Sequence, residues 1–278
     1  METLHQASVL VVILNYKTHQ MTVDLLDELE HLHYGNYDVM IIDNCSPNES
    51  ADVLEVEAKK RNHVFYKNKI NSGYAAGNNI GIKYGIQHGY DYTWILNNDV
   101  KLCDPDILTK LVDAASYERI GSVGPRITDL DGNVCSPYCK RPSFWDMTFG
   151  IAAFKKYRDT QKEISQRVYR IHGCCMLLNN QVMQDVNCLD ERTFLYCEEE
   201  ILAERMLPKG ISSYYCANAQ LVHMESATVK QESKKAIFKR IGIVLDSLDV
   251  YLREYRHFGW GARAVCKLIR GGILFFRG

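Results

Sequence analysis

Residues 94–100 read Trp-Ile-Leu-Asn-Asn-Asp-Val. The aromatic and aliphatic residues suit the end of a buried strand, yet Asn97, Asn98 and Asp99 follow without a break. In open α/β sheets ligands bind beyond the carboxyl ends of the strands, so a carboxylate delivered to a strand tip is placed for chemistry rather than packing. The rest of the first half repeats this arrangement. Short β-branched runs at 9–14, 37–42, 64–66, 93–96 and 121–125 alternate with segments of helical spacing at 18–32, 49–60, 74–87 and 104–117. That alternation is the pattern of βαβ units and a largely parallel sheet.

The second half is less regular. A loop rich in aromatic and basic residues is expected over 129–164, long enough to be a functional loop. Strands are expected at 169–178 and 212–222, separated by a helix at 198–207, and the chain reads as helical after Thr228.

The 278 residues, 46% of them hydrophobic, suffice for one large domain with a tail and argue against disorder. A formal net charge of -1 hides an asymmetry, because from Thr228 onward eleven Lys and Arg face four Asp and Glu. The tail is therefore basic and the body acidic. The apolar run at 9–14 is short and lacks a following small-residue cleavage site, so no signal peptide is expected. No apolar stretch reaches the roughly 20 residues of a spanning helix, which makes the cytoplasm the expected location. The ten cysteines show no paired CxxC spacing and sit mostly in apolar runs, as small buried hydrophobes do.

Four neighbouring strand tips carry polar groups: Asn15-Tyr16, Asp43-Asn44-Cys45-Ser46, the stretch from Asn68 to Gly73, and Asn97-Asn98-Asp99. Asp43 suits either a base or ribose contact or an Asx turn before the next helix. In Asn71-Ser72-Gly73-Tyr74-Ala75-Ala76-Gly77-Asn78-Asn79, small residues allow close backbone approach, and the following helix turns its N-terminus toward an anion. Asp99 suits a hard divalent cation that neutralises a diphosphate, or a loop cap.

In this order and spacing, VVILNY, IIDNCSPNES, NSGYAAGNNIGI, WILNNDV, VGPRITDLDG, HGCCMLL, LDERTFLYCEEEILAERM and VHMES resemble the family 2 glycosyltransferases. These are the inverting enzymes of the GT-A fold, and the resemblance, over about residues 8–228, is strongest to rhamnosyltransferase-like bacterial members. It implies a Rossmann-like mixed α/β sheet flanked by helices over residues 1–227, with a nucleotide-sugar half to about 127 and an acceptor half beyond it. Residues 228–278 form a basic helical extension.

The resemblance also implies roles. Asn15, Asp43, Asn71, Gly73, Asn78, Asn97 and Asn98 line the donor, a sugar on thymidine or uridine diphosphate. Asp99, the one acid of a motif that is usually Asp-x-Asp, holds Mn or Mg with His223. Glu199 aligns with the usual general base, and Glu198 is its alternate. Asp190, Glu191 and Trp145 border a saccharide or lipid-linked acceptor of a bacterial surface polysaccharide such as a capsule.

In the tail, Arg263, Lys267, Arg270 and Arg277 share one helical face, while Trp260, Val265, Leu268, Leu274, Phe275 and Phe276 are apolar. Residues 260–277 are thus expected to lie on the inner membrane surface, to pack on the body, or to join two copies. No nucleic-acid partner is expected. The competing readings are a sugar-1-phosphate nucleotidyltransferase, disfavoured because no glycine-rich loop follows the first strand, and a catalytically silent nucleotide-sugar-binding protein.

Overall fold

The computed structural model describes residues 6–150, 162–224 and 234–277. Its centre is a nine-stranded mixed sheet in the order β3-β2-β1-β4-β8-β6-β9-β5, with β7 paired to β9. The strands are β1 (Val9–Asn15), β2 (Tyr37–Asp43), β3 (Val64–Lys67), β4 (Tyr92–Asn97), β5 (Val100–Lys101), β6 (Ile120–Thr128), β7 (Gln166–Val168), β8 (Cys175–Asn179) and β9 (Ser212–His223). Strands β1 to β4 are mutually parallel where they pair, whereas β8 runs antiparallel to both β4 and β6. That reversal matters for the site.

Strand β1 is apolar on both faces, as a parallel strand covered on both sides must be. Val9, Val11 and Ile13 pack with Leu25, Leu26, Leu29 and Trp94 on one face, and Leu10 and Val12 with Met40 and Ile42 on the other. Each such side chain contributes about 1.5–3 kcal/mol on burial. Helices α1 (His19–Leu29), α2 (Ser50–Lys60), α3 (Tyr74–Gln87) and α4 (Ile107–Ala115) supply the covering layers. They match the expected helical segments.

Two expectations change. The strand expected at 169–178 is broken: β7 ends at Val168, β8 begins at Cys175, and a turn containing Gly173 lies between them. The expected structureless loop contains a short helix, α5 (Phe144–Phe149), closed by a reciprocal capping box between Ser143 and Asp146. Residues 151–161 of that loop, the Glu225-Ser226 end of the VHMES stretch and the boundary at 227/228 lie outside the described residues.

Two further helices, α6 (Asn180–Asp185) and α7 (Glu198–Met206), precede the C-terminal pair α8 (Lys234–Val250) and α9 (Trp260–Arg277), which a π-helical turn at Tyr251–Tyr255 and a short link connect. The pair docks on the body. Leu248, Tyr251, Leu252 and Cys266 form one cluster with Met147 of α5 and Ile201 of α7. Ser247 donates to the Leu195 carbonyl at 2.8 Å, and the hydroxyls of Tyr169 and Tyr251 are 2.8 Å apart.

In α9, part of the basic stripe is turned toward the body. Arg263 forms a bidentate pair with Asp249 at 2.7 Å, Lys267 lies 3.7 Å from Asp246, and the Arg270 guanidinium packs over Gly150. Arg263 and Lys267 face the body because acidic partners on α8 pair with them. The outward face is apolar: Trp260 and Leu268 are each 79% exposed and Phe276 is 87% exposed. Among the described residues no helix is long and apolar enough to cross a membrane.

Candidate active site

The tips of β1, β2 and β4 are joined by side-chain amides. Asn15 donates to Asp43 at 2.9 Å, and its carbonyl oxygen accepts from Thr22 at 3.2 Å. The second Asp43 oxygen accepts from the Ser46 backbone at 2.9 Å. The Asn98 amide lies 2.8 Å from the Thr18 hydroxyl and 2.9 Å from that of Thr22. Asn15 and Asp43 are fully buried, so in this structure they and Asn98 form the floor that sets the spacing of the tips.

Above that floor, the Asn71 oxygen accepts from Asn44 and from the Gly73 backbone, both at 3.1 Å. Gly73 has φ +93°, and a Cβ there would stand 2.1 Å from the Phe194 carbonyl oxygen. The Tyr74 N–H donates to that same oxygen at 2.8 Å. A glycine is therefore required where the donor loop meets the segment leading into α7. Asn78 is buried in α3, and its amide oxygen has no hydrogen-bond partner.

Asp99 follows β4, and β5 then carries the chain back against β9, pairing Val100 with His223. This brings His223 Nε2 to 3.3 Å from Asp99 Oδ1, an ion-pair distance without hydrogen-bond alignment. Burial would raise the Asp99 pKa, but His223 and Asn97 outweigh it and hold the carboxyl below its ordinary range. The His223 ring lies 5.3 Å from that of His172, and ligating atoms of His172, Cys174 and His223 fall within 4.8 Å of one another. A carboxylate beside imidazoles is a donor set that a divalent cation takes.

His172 and Cys174 precede a strand, so the pattern of polar residues after each strand does not include them. Strand β8 runs the other way, so its beginning meets the end of β4: Asn97 N–H donates to the Cys174 carbonyl at 2.9 Å. The signal was the polar His172 and the Gly173 break inside an otherwise apolar run.

Gly173 joins this group to the glutamates at the start of α7. Its N–H donates to Glu199 Oε1 at 2.8 Å, and its carbonyl accepts from the buried Tyr74 hydroxyl. A Cβ on Gly173 would lie 2.7 Å from Glu199 Oε1. Glu200 pairs with Arg170 at 2.8 Å, and the Arg170 guanidinium stacks on Tyr138 at 3.6 Å. Glu198 is 3% exposed, with Oε1 lacking a hydrogen-bond partner. Desolvation, reinforced by Glu199, pushes its pKa up to about 8.

A cavity of about 410 Å³ opens beside these groups. Glu199, His172, Arg170 and Tyr138 line one side, and Arg240 and Leu274 of the C-terminal helices line another. Glu198 does not line it, and neither do Trp145, Asp190 and Glu191. Trp145 stacks on Phe149, and Glu191 accepts from Asn79 and Lys83 on α3. Asp190, which burial would raise, is held low by Arg192, Tyr255 and Arg205. All three also make contacts within the scaffold, and Trp145 is 58% exposed.

The profile described as Glycosyl transferase family 2 matches residues 8–186. An N-acetylglucosaminyl-diphospho-decaprenol L-rhamnosyltransferase of Mycobacterium tuberculosis is 28% identical over 197 residues, covering 66% of this chain and 61% of that protein. The match thus spans about three fifths of that relative's length. A low-salt glycan biosynthesis hexosyltransferase of Haloferax volcanii is 23% identical, covering 77% of this chain and 66% of its own length. Among solved structures, a mannosyltransferase of Pyrobaculum calidifontis in complex with GDP-Man and Mn2+ superposes with a TM-score of 0.63 at 11% identity, covering 98% of this chain and 73% of that one. GalNAc-T7 with UDP, GalNAc and Mn2+ gives 0.65 at 14% identity, covering 97% and 55%. These likenesses show the GT-A fold.

Proposed function

The chain belongs to glycosyl transferase family 2, and from that premise we propose that it moves one sugar from a thymidine or uridine diphosphate donor to a lipid-linked saccharide with inversion. The observation that supports this reading is the His172-Gly173-Cys174 turn: the His172 ring lies 5.3 Å from that of His223, which pairs with Asp99, and the Gly173 N–H donates to Glu199.

Asp99 and His223 would hold Mn or Mg, which when bound supplies positive charge against the leaving diphosphate. Glu199 is assigned as general base, since it lines the cavity while Glu198 is buried behind it. The Gly173 N–H fixes one of its oxygens. The acceptor hydroxyl bonds to the anomeric carbon on the face opposite the diphosphate, and its proton passes to Glu199. The bond from the anomeric carbon to the diphosphate oxygen breaks, and that oxygen keeps the electron pair.

The cavity's far wall supports a lipid-linked acceptor. Arg240 and Arg270 offer cationic contacts for a diphosphate, and Val244, Leu248 and Leu274 offer apolar ones. The relative from M. tuberculosis is named for such an acceptor. The outward apolar face of α9 would rest on the membrane, with Arg263 and Lys267 already paired to acids of α8. With a saccharide-diphospholipid in neutral vesicles, the protein should sediment with the vesicles at high salt. It should release nucleoside diphosphate from a labelled nucleotide sugar and form a product whose anomeric configuration, read by NMR, is inverted. Pyrophosphate release or retained configuration would contradict the reading.

A further inference from the structure

Gly173 lacks room for a side chain, since a Cβ there would stand 2.7 Å from Glu199 Oε1 and 3.5 Å from the Tyr74 hydroxyl. A glycine leaves the rigid peptide planes on either side of it free to rotate unless hydrogen bonds stop them. Here both planes are held at both ends. In the plane between His172 and Gly173, the His172 carbonyl accepts from the Cys175 N–H at 3.3 Å and the Gly173 N–H donates to Glu199 at 2.8 Å. In the plane between Gly173 and Cys174, the Cys174 N–H donates to His172 Nδ1 at 3.2 Å and the Gly173 carbonyl accepts from the Tyr74 hydroxyl. Three of these bonds stay within the turn or lead to Glu199. The fourth comes from the first residue of α3, directly after Asn71 and Gly73.

Tyr74 is thus tied twice to the side of the cleft that carries the glutamates. Its N–H donates to the Phe194 carbonyl in the segment leading into α7, and its hydroxyl reaches the turn that holds Glu199. Burial, with Glu199 and Glu198 close by, keeps that hydroxyl protonated far above the ordinary phenol range, so it remains a donor at any working pH.

We propose that Tyr74 is a positioning residue for the general base: its hydroxyl, reaching across from the donor loop, fixes the Gly173 turn, and the turn fixes Glu199. The inference rests on the reading of Glu199 as base and adds the group that sets its place. Without the hydroxyl, the plane between Gly173 and Cys174 is left to the His172 imidazole, whose side chain can itself rotate. The Gly173 N–H then loses its fixed aim at Glu199.

Amide hydrogen exchange of the full chain, read by NMR, tests the pin without sugar transfer. In the unaltered protein the Gly173 amide should be protected as the amides of β8 are. Tyr74→Phe keeps the ring, and it should speed exchange at Gly173 by at least about tenfold while β8 is unchanged. Its kcat should fall about tenfold, at the low end of what a misplaced catalytic group costs, with the KM for donor within about twofold. On a Glu199→Gln background the same substitution should cost less than about twofold more, because a group acting through Glu199 then has no base left to position. A merely structural hydroxyl would lower kcat by the same factor on both backgrounds. An unprotected Gly173 amide in the unaltered protein, unchanged exchange or kcat in Tyr74→Phe, or the full loss repeated on Glu199→Gln would overturn the proposal. Should Tyr74→Phe fail to fold, protection of Gly173 in the unaltered protein decides alone. Sugar transfer by an unaltered protein whose Gly173 amide is unprotected defeats this inference and leaves the glycosyltransferase reading standing.

Discussion

Asp99 at the tip of β4 and Glu198 at the start of α7 are carboxylates that burial acts on alike, and their neighbours drive them in opposite directions. Desolvation at Asp99 is overcome by His223 and Asn97, which hold it low. At Glu198 desolvation and the neighbouring Glu199 act together, and the pKa rises. The strand tip thus keeps a fixed negative charge, suited to a cation, while the helix start stores a proton behind the group that lines the cavity. One fold prepares both by setting one carboxylate beside an imidazole and an amide and the other beside a second carboxylate.

The sharpest way to break this contrast is at the turn that joins its two sides. Gly173→Ala places a Cβ against the flexible end of Glu199 rather than against backbone. The account expects a thermal midpoint within a few degrees of the unaltered protein and a fall in kcat of about 10–100-fold, the scale of a misplaced catalytic group. Steady-state kinetics beside a thermal melt read both quantities. Unchanged kcat would mean that Gly173 does not position the base.

A smaller effect is expected from Glu198→Gln, read as stability against pH. Because the folded pKa of Glu198 lies above its unfolded value, the native state holds the proton more tightly. Its contribution is complete below about pH 4.5 and is lost as pH rises through about 8. Over that window the unaltered protein should lose up to about 1 kcal/mol per pH unit from this group, and the Gln variant should lack that component. Identical slopes in denaturant titrations of the two proteins would show that Glu198 is not the stored proton.

Much of this arrangement was legible before the structure. The alternation of apolar runs and helical spacing predicts the sheet and its covering helices, and the polar tips after β1, β2 and β4 predict the side-chain network that joins them. Residues that act against chain direction were not legible: His172 and Cys174 precede β8, and only the antiparallel pairing of β8 with β4 brings them to Asp99. Trp145, Asp190 and Glu191 show a related ambiguity. An exposed aromatic ring or an acid near the glutamates serves equally well to anchor a loop, and periodicity does not say which face a loop presents. The basic stripe of α9 had the right helical spacing, yet acids on α8 decided its direction.

The central claim is that Glu199 removes the acceptor proton in a cleft whose donor side is built independently of it. Glu199→Gln, titrated with Mn(II) and nucleotide sugar by calorimetry and then assayed in a single turnover, tests this most directly. The account predicts donor affinity within about threefold of the unaltered protein and transfer reduced by at least about a hundredfold, the range for loss of a general base. Transfer at the unaltered rate, or loss of donor binding in parallel with transfer, would contradict it.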